Sequence, residues 1–496
     1  MPPRKGPRKN RFPFWGVVRM PRLPSFVIAL LLLATTGLVA QPRAGTGEGE
    51  RRIAFFGSSV PNGTGDETGH GGYTGRMRTL LEPRGWEVLN RSRGGDNTIT
   101  IAPRFEPEGA PDRDTRYLTT VDPGYAVLAL SLGNEGIIEC APGATRRCTA
   151  TKDEADRIYE QYANGLWTLV ERTRTKGIVP IVTLCYTRGD FNEREYAYTR
   201  RMNLLINSWD VPSVNLLGAI DDGGGRWARG FVADSLHPNS AGHTEMAHAF
   251  VPSLFDALAA GKPLPVKSSA LGFVRVRGGS TAPLAFSPAA PMRSFAVSFL
   301  VRPSGDGTVA AVAGQTLDSS VAQREYGRRQ RLIDVYNLTP SGRTRTRVAV
   351  TDGRLTYAAS SGETVASTVN ATDGRWHHIV LSHYVARGET LLFVDGELAG
   401  SVAERLQPDR FVLGGAGVAG IAAPDQVDYK DWMIHRAGLN SDEAHALHAG
   451  TLLQASLEVY APLRESAGAA GGKVENLAQS LSVVEVDTAG VTHGQN

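Results

Sequence analysis

The sequence predicts an α/β domain, a parallel sheet with helices on both faces, followed by an all-β sandwich. Three observations carry this. Between about Arg51 and Gly261, short apolar runs alternate with helical patterns, the sign of strands joined by crossover helices. Beyond about Leu271 the apolar period changes to two, as Phe295, Val297, Phe299 and Val301 show. A chain of 496 residues is too long for one ordinary core, and its 56 Gly and 28 Pro favour the many turns of a β-rich part.

The first part reads in order as follows. Arg52–Phe56 is a strand ending at Gly57, and Tyr73–Leu81 has helical spacing at Met77, Leu80 and Leu81. Trp86–Asn90 is a second strand. Tyr125–Ser131 is a third, apolar throughout, as a strand covered on both faces must be. Glu154–Lys176 is an amphipathic helix with Ala155, Ile158, Tyr162, Leu166 and Leu169 on one face, closed by Gly177. Ile178–Leu184 is a fourth strand and Val214–Leu217 a fifth. A last helix spans Ser240–Leu258. In the second part, Thr390–Ala399 is a hairpin with Asp395-Gly396 at its turn. The expected division is a leader at 1–40, an α/β domain at 51–261, a linker at 262–270, a sandwich at 271–486 and a tail at 487–496.

Apolar residues make up 41% and charged residues 21%, the balance of a folded chain. The formal charge is +3, but seven Lys and Arg precede Ala40 with no acid among them; without these seven the charge is −4. The remainder carries no footprint for nucleic acid or for anionic membranes. The basic stretch precedes the apolar run Phe26–Ala34, with small residues near Ala40 to cleave at, which is the pattern of a secretory signal. Met20 is an alternative start for it. The run is shorter than the roughly 20 residues that span a membrane, so no stable insertion is expected after cleavage, and the product would be secreted or periplasmic. An uncleaved signal anchor is the other reading. Cys140 and Cys148 either form a local disulfide or remain thiols, and Cys185, inside an apolar run, reads as a small buried hydrophobe. No Cys/His spacing suggests a zinc site, and no cofactor is expected.

Three features carry chemistry. Phe56-Gly57-Ser58-Ser59-Val-Pro-Asn-Gly63 sets a serine directly after a buried strand, at the carboxyl end of the sheet, where α/β folds bind ligands. Asp234-Ser-Leu-His237-Pro238 offers the base such a serine needs, with an acid three residues away on the same turn to fix its tautomer. Gly95, after the second strand, and Asn134, after the third, are donors that could face a developing oxyanion beside the Ser59 amide. Each feature alone has a plain structural reading: a Gly/Ser turn, a helix-capping Asp, common Gly/Asn turns. His243 reads as packing in the last helix and His70 as a solvated loop residue.

In this order the blocks resemble those of the SGNH (GDSL-like) hydrolase family, over about Arg51 to Leu258. The resemblance implies a flavodoxin-like sheet, Ser59 as nucleophile, Asp234 and His237 as its acid–base pair, and Gly95 and Asn134 with the Ser59 amide as oxyanion hole. Two positions depart from the family pattern. Ser58 stands where Asp is usual, and the third block reads Leu-Gly133-Asn134-Glu135 with a shortened Gly–Asn spacing.

Ser294–Phe299, Asp373-Gly-Arg-Trp376-His377-His378, Leu391–Gly396, Asp428–Trp432 and Leu439–Glu443 are similar to the laminin-G/concanavalin-A-like jelly-roll sandwich. Adjacent strand residues face opposite sides, so His377 and His378 read as core rather than as a metal pair. The resemblances together imply a serine esterase that removes acetyl or similar acyl groups from a carbohydrate, with a glycan as candidate ligand of the sandwich. A lipase-like carboxylester hydrolase and a non-catalytic glycan-binding or adhesion protein are the alternatives.

Overall fold

The computed structural model describes residues 50–107, 116–140, 148–278, 284–414, 424–464, 473–487 and 491–494. The expected leader, 1–40, lies outside them. The described residues form one compact unit.

Five strands, β1 (Arg52–Gly57), β2 (Glu87–Asn90), β3 (Tyr125–Ala129), β4 (Val179–Thr183) and β5 (Ser213–Val214), form a parallel sheet in the order β2-β1-β3-β4-β5. Successive residues of β1 face opposite sides. Ala54 and Phe56 pack with Tyr162 and Leu166 of the Lys152–Thr175 helix; Ile53 and Phe55 pack with Tyr73 and Met77 of the Gly72–Leu81 helix and with Phe250. This double covering makes the strands apolar throughout. The strand order reverses direction at β1, so the crevice between the carboxyl ends of β1 and β3 is the switch point where such folds bind ligands.

Three elements differ from the sequence reading. The fifth strand stops at Val214, because Leu217 opens a short helix, Leu217–Ile220, whose Gly218 carbonyl accepts from the Gly438 amide at 3.0 Å. The last helix is two, Ser240–His248 and Leu254–Ala259, parted at Pro252, which has no N–H to continue the ladder. A further helix, Glu193–Asn207, begins at a capping box formed by Asn192 and Glu195.

The second part is a sandwich of two antiparallel sheets, each of eight strands among the described residues, one of which has Leu457–Ala461 paired off its main path, around a core that includes Phe295, Phe299, Val348, Phe411 and Trp432. Asp395 and Gly396, at φ 52° and 86°, make the tight turn expected between Glu389–Val394 and Glu397–Ala403. The expected tail, 487–496, includes a strand, Val491–Gly494, paired with Phe273–Val276. The linker is held down as well: Lys262 and Lys267 donate to the carbonyls of Ser480 and Gly450. The two parts are docked, not merely tethered. Asn215 donates to Glu443 at 3.0 Å, and Arg387 pairs with the buried Asp221 at 2.8 Å.

One hairpin of the sandwich leaves it. Gly307–Tyr326 and Arg331–Thr351 are far longer than their neighbours. The adjoining strand Leu406–Leu413 pairs with the first of them only as far as Thr316. From Asp318 to Tyr326 the ribbon pairs with its own return strand, a reach of roughly 30 Å at ~3.3 Å per residue. Two strands alone are marginal in water. This ribbon is supported by the α/β domain, where Ile333 and Val335 pack on Ala233, and Tyr336 and Leu338 on Ala228 and Phe231. The Tyr336 amide donates to Gly230 O at 3.0 Å, and Asn239 donates to Asp334 O at 3.1 Å. Gly230 sits at φ 84°, and a Cβ there would meet the Tyr336 ring at 2.1 Å. Gly230→Ala is therefore expected to destabilise the docked ribbon by roughly 2 kcal/mol. Hydrogen exchange should show it as faster exchange confined to the ribbon and its footing; unchanged protection there would contradict the docking.

Acid should also loosen the fold. Burial pushes His243, His378, His383 and His435 down to about 4, from 6.5. A histidine depressed in the folded state takes up a proton on unfolding between these values, so stability falls as pH drops from 6.5 to 4. Burial raises Glu245 to about 7 and Glu443 to about 8, which acts in the opposite sense above 4.5. Burial pushes His248 down further, to about 3, so five groups against two leave a net uptake on the order of three protons near pH 5.5. Melting temperature should therefore fall from pH 6.5 to 4.5; a flat or rising profile would contradict this.

Candidate active site

The end of β1 is pressed against β3. A Cβ on Gly57 would come within 2.0 Å of Ala129 O, and the Ser58 amide donates to that same carbonyl at 3.2 Å. Ser58 is buried, with its Oγ 3.3 Å from the Tyr186 hydroxyl. The residue that replaces the family's usual Asp thus ties the turn to the loop after β4. The chain then curls back: the Asn62 amide donates to Ser58 O and the Thr64 amide to Ser59 O, with Gly63 at φ 90°. Ser59 is left partly exposed at the switch point.

Asp234 and His237 share one tight turn. Asp234 Oδ1 accepts from the amides of Leu236 (2.8 Å) and His237 (3.0 Å), and its carboxylate lies 2.9 and 3.1 Å from His237 Nδ1. His237 Nε2 is 3.0 Å from Ser59 Oγ. Burial alone would raise the Asp234 pKa, but the hydrogen bonds from the His237 ring and the Leu236 amide hold it below the usual carboxylate value. The turn is fitted tightly against the Ser59 loop: a Cβ on Gly65, at φ 100°, would lie 2.0 Å from Pro238 O and 2.9 Å from His237 Cβ. A hydroxyl, an imidazole and a carboxylate in this sequence can pass a proton from oxygen to nitrogen while the carboxylate fixes the tautomer.

The expected oxyanion donors lie on neighbouring loops. Gly95 is exposed at φ 84°, and Gly94 faces the serine, its notional Cβ 3.8 Å from Ser59 Cβ. Asn134 Nδ2 donates to Asp96 O at 3.1 Å, and Asn134 Oδ1 is 3.5 Å from Arg188 Nη1. The amide of Asn134 is thus tied to the loop that carries Gly95. Glu135 is buried; its carboxylate accepts from the Thr98 amide and hydroxyl and from Gln161. This departure from the family pattern braces the Gly95–Thr98 loop from below.

His243 is buried, accepting from the Tyr73 amide and donating to Thr64 O, so it secures the Ser59 loop. His70 is exposed on its loop. His377 lies between Asp373 and Asp395, and His378 meets Ser298. Cys140 and Cys148 are joined in a disulfide, and Cys185 is buried and free. Among the described residues no group of three or more His, Cys, Asp or Glu could hold a metal ion, and no helix is long and apolar enough to cross a membrane.

Two contributions escaped the sequence reading. Arg188, in the loop after β4, is buried against Gly133 and paired with Asp190 at 2.9 Å. Its place after a central strand was the available signal. The second is the sandwich's long ribbon. Arg331 donates to the carbonyl of Ala233, the residue before Asp234, and the Tyr326 hydroxyl rests on the Gly65 backbone. Burial, and then the nearby Asp234 charge, raise the Tyr326 pKa.

Residues 55–244 match the model of the GDSL-like Lipase/Acylhydrolase family. This segment therefore carries a GDSL-like lipase/acylhydrolase domain, and an antiparallel β-sandwich follows it. No curated protein matches it in sequence. Among solved structures, it is similar to an acylhydrolase from Bacteroides fragilis at 15% identity, covering 41% of this chain and 86% of that one, with a TM-score of 0.29. An acetylxylan esterase from Geobacillus stearothermophilus shares 16% identity, over 40% of this chain and 91% of that one, at a TM-score of 0.30. Mouse laminin alpha1 chain domains share 16% identity, over 36% of this chain and 47% of theirs, at a TM-score of 0.24.

Proposed function

We propose that the protein is an exported serine esterase that removes acetyl or similar acyl groups from a carbohydrate. The observation that carries the chemistry is the unbroken chain from Ser59 Oγ through His237 to Asp234. Ser59 attacks the ester carbonyl as His237 Nε2 takes its proton. Asp234 holds the Nδ1–H tautomer and stabilises the imidazolium. The tetrahedral oxyanion is met by the Ser59 amide, Gly95 and Asn134. His237 then returns the proton to the departing alcohol, and water, activated the same way, releases the acid from the acyl-enzyme. Export rests on the leader-like segment at 1–40, and the domain division at 51–261 and 271–486 belongs to the same reading.

A carbohydrate substrate is supported by the polar surroundings of the serine, where Asn62, Gly94 and Gly95 are exposed. It is also supported by the laminin-G-like partner domain. Exposed Leu236 and Ile99 favour the lipase-like alternative. Acetate release from acetylated polysaccharides, compared with hydrolysis of aryl esters of lengthening acyl chain, separates the two. Preference for acetylated sugar supports the proposal; rising rates with longer acyl chains support the lipase; no release from either leaves the adhesion reading.

A further inference from the structure

We propose that the arginine-rich tip of the sandwich's long ribbon is an anion subsite of the ester-binding cleft, so that the substrate is an acyl ester on a carboxylate-bearing polysaccharide. This rests on the esterase reading above and names its substrate class. The tip is Tyr326-Gly327-Arg328-Arg329-Gln330-Arg331. It is fixed beside the Asp234–His237 turn by the Arg331 bond to Ala233 O, by Tyr326 on Gly65, and by the packing of Ile333 and Val335 on Ala233. Gly65 in turn touches His237 and Pro238. A group bound at the tip is therefore bound at the rim of the site that holds the ester.

The charge there is unspent. From Gln323 to Asp334 inclusive stand four arginines and two acids. Arg324 is committed to the buried Glu67, which also holds the Ser240 amide. Arg331 spends its bond on a neutral carbonyl. Arg328 and Arg329 are exposed and have no ion pair among the described residues. The acids do not answer them: Glu325 is exposed on the strand, and Asp334 accepts weakly from Gln323 at 3.5 Å. Guanidinium groups held on a docked turn suit planar carboxylates, which they meet with paired hydrogen bonds. A lone exposed ion pair contributes little. A polymer that engages the tip while its ester lies at Ser59 makes the second contact intramolecular, and so gains from both.

The test is direct binding, which does not depend on turnover. Polygalacturonate oligosaccharide is titrated into full-length Ser59→Ala protein, with and without Arg328→Gln/Arg329→Gln, and a neutral xylo-oligosaccharide is titrated alongside. The proposal expects salt-sensitive binding of polygalacturonate that weakens about tenfold in the Gln variant and less in Arg328→Lys/Arg329→Lys, which keeps the charge but not the paired hydrogen bonds. The ratio of charged to neutral affinity should fall by the same factor. Equal affinity in the Gln variant, no binding by the parent, or a preference for anionic lipid vesicles over polygalacturonate would overturn it. Absence of all ester hydrolysis would overturn the esterase reading and leave this binding result standing.

Discussion

Ser59→Ala is expected to lower ester hydrolysis by about 10⁴- to 10⁶-fold while leaving substrate binding in place. The physical reason is that, among the described residues, no second hydroxyl bonds to His237: Nε2 faces Ser59 Oγ at 3.0 Å, and Nδ1 is engaged by Asp234. Removing one oxygen atom removes the nucleophile without disturbing packing, since Ser59 is partly exposed and its loop is held by Ser58, Gly63 and His243. His237→Ala should cost a comparable factor. The double variant should be little worse than either single one, because the two residues act as one unit. Additive losses in the double variant would mean that they act in separate steps.

Asp234→Asn should lower turnover by about 10³- to 10⁴-fold with almost no change in structure. The carboxylate accepts from His237 Nδ1, which leaves Nε2 unprotonated and able to take the serine proton. An amide of the same shape can instead donate to Nδ1. The ring then carries its proton on Nε2 and has nothing with which to accept from Ser59. Because the Asp234 pKa is depressed, its charge, and the stability that charge contributes, persist above the ordinary carboxylate value and are lost only as pH falls through the folded value. The variant is checked by steady-state kinetics together with the His237 imide proton signals; near-normal turnover would show that the tautomer is set by something else.

The parts of this molecule that the sequence disclosed are those whose partners lie close in the chain or repeat with a period. Apolar β1 and β3, the helical stripe of Lys152–Thr175 and the Asp395-Gly396 turn are local patterns. Asp234 and His237 lie three residues apart, and Ser59 is marked by the strand before it. The remainder depends on distant contacts. Glu193–Asn207 is crowded with Arg, Tyr and Glu and has few apolar residues, so its stripe is faint although its capping box is written in Asn192 and Glu195. Val491–Gly494 forms a strand because Phe273–Val276 offers it an edge. The ribbon reads as two ordinary strands; its value to the site comes from Gly230, Ala233 and Asn239, about 100 positions away. Glu135 departs from the family pattern in the sequence, and only its bonds to Thr98 and Gln161, distant in the chain, give it a bracing role.

The central claim is that Ser59 is a nucleophile activated by His237 and Asp234. Its most direct test is covalent trapping: full-length protein is treated with a fluorophosphonate and analysed by intact mass and peptide mapping. The account predicts one adduct per chain, on Ser59, formed far more slowly in His237→Ala and Asp234→Asn and absent in Ser59→Ala. An unlabelled chain, or an adduct on a different residue that persists in Ser59→Ala, would contradict it.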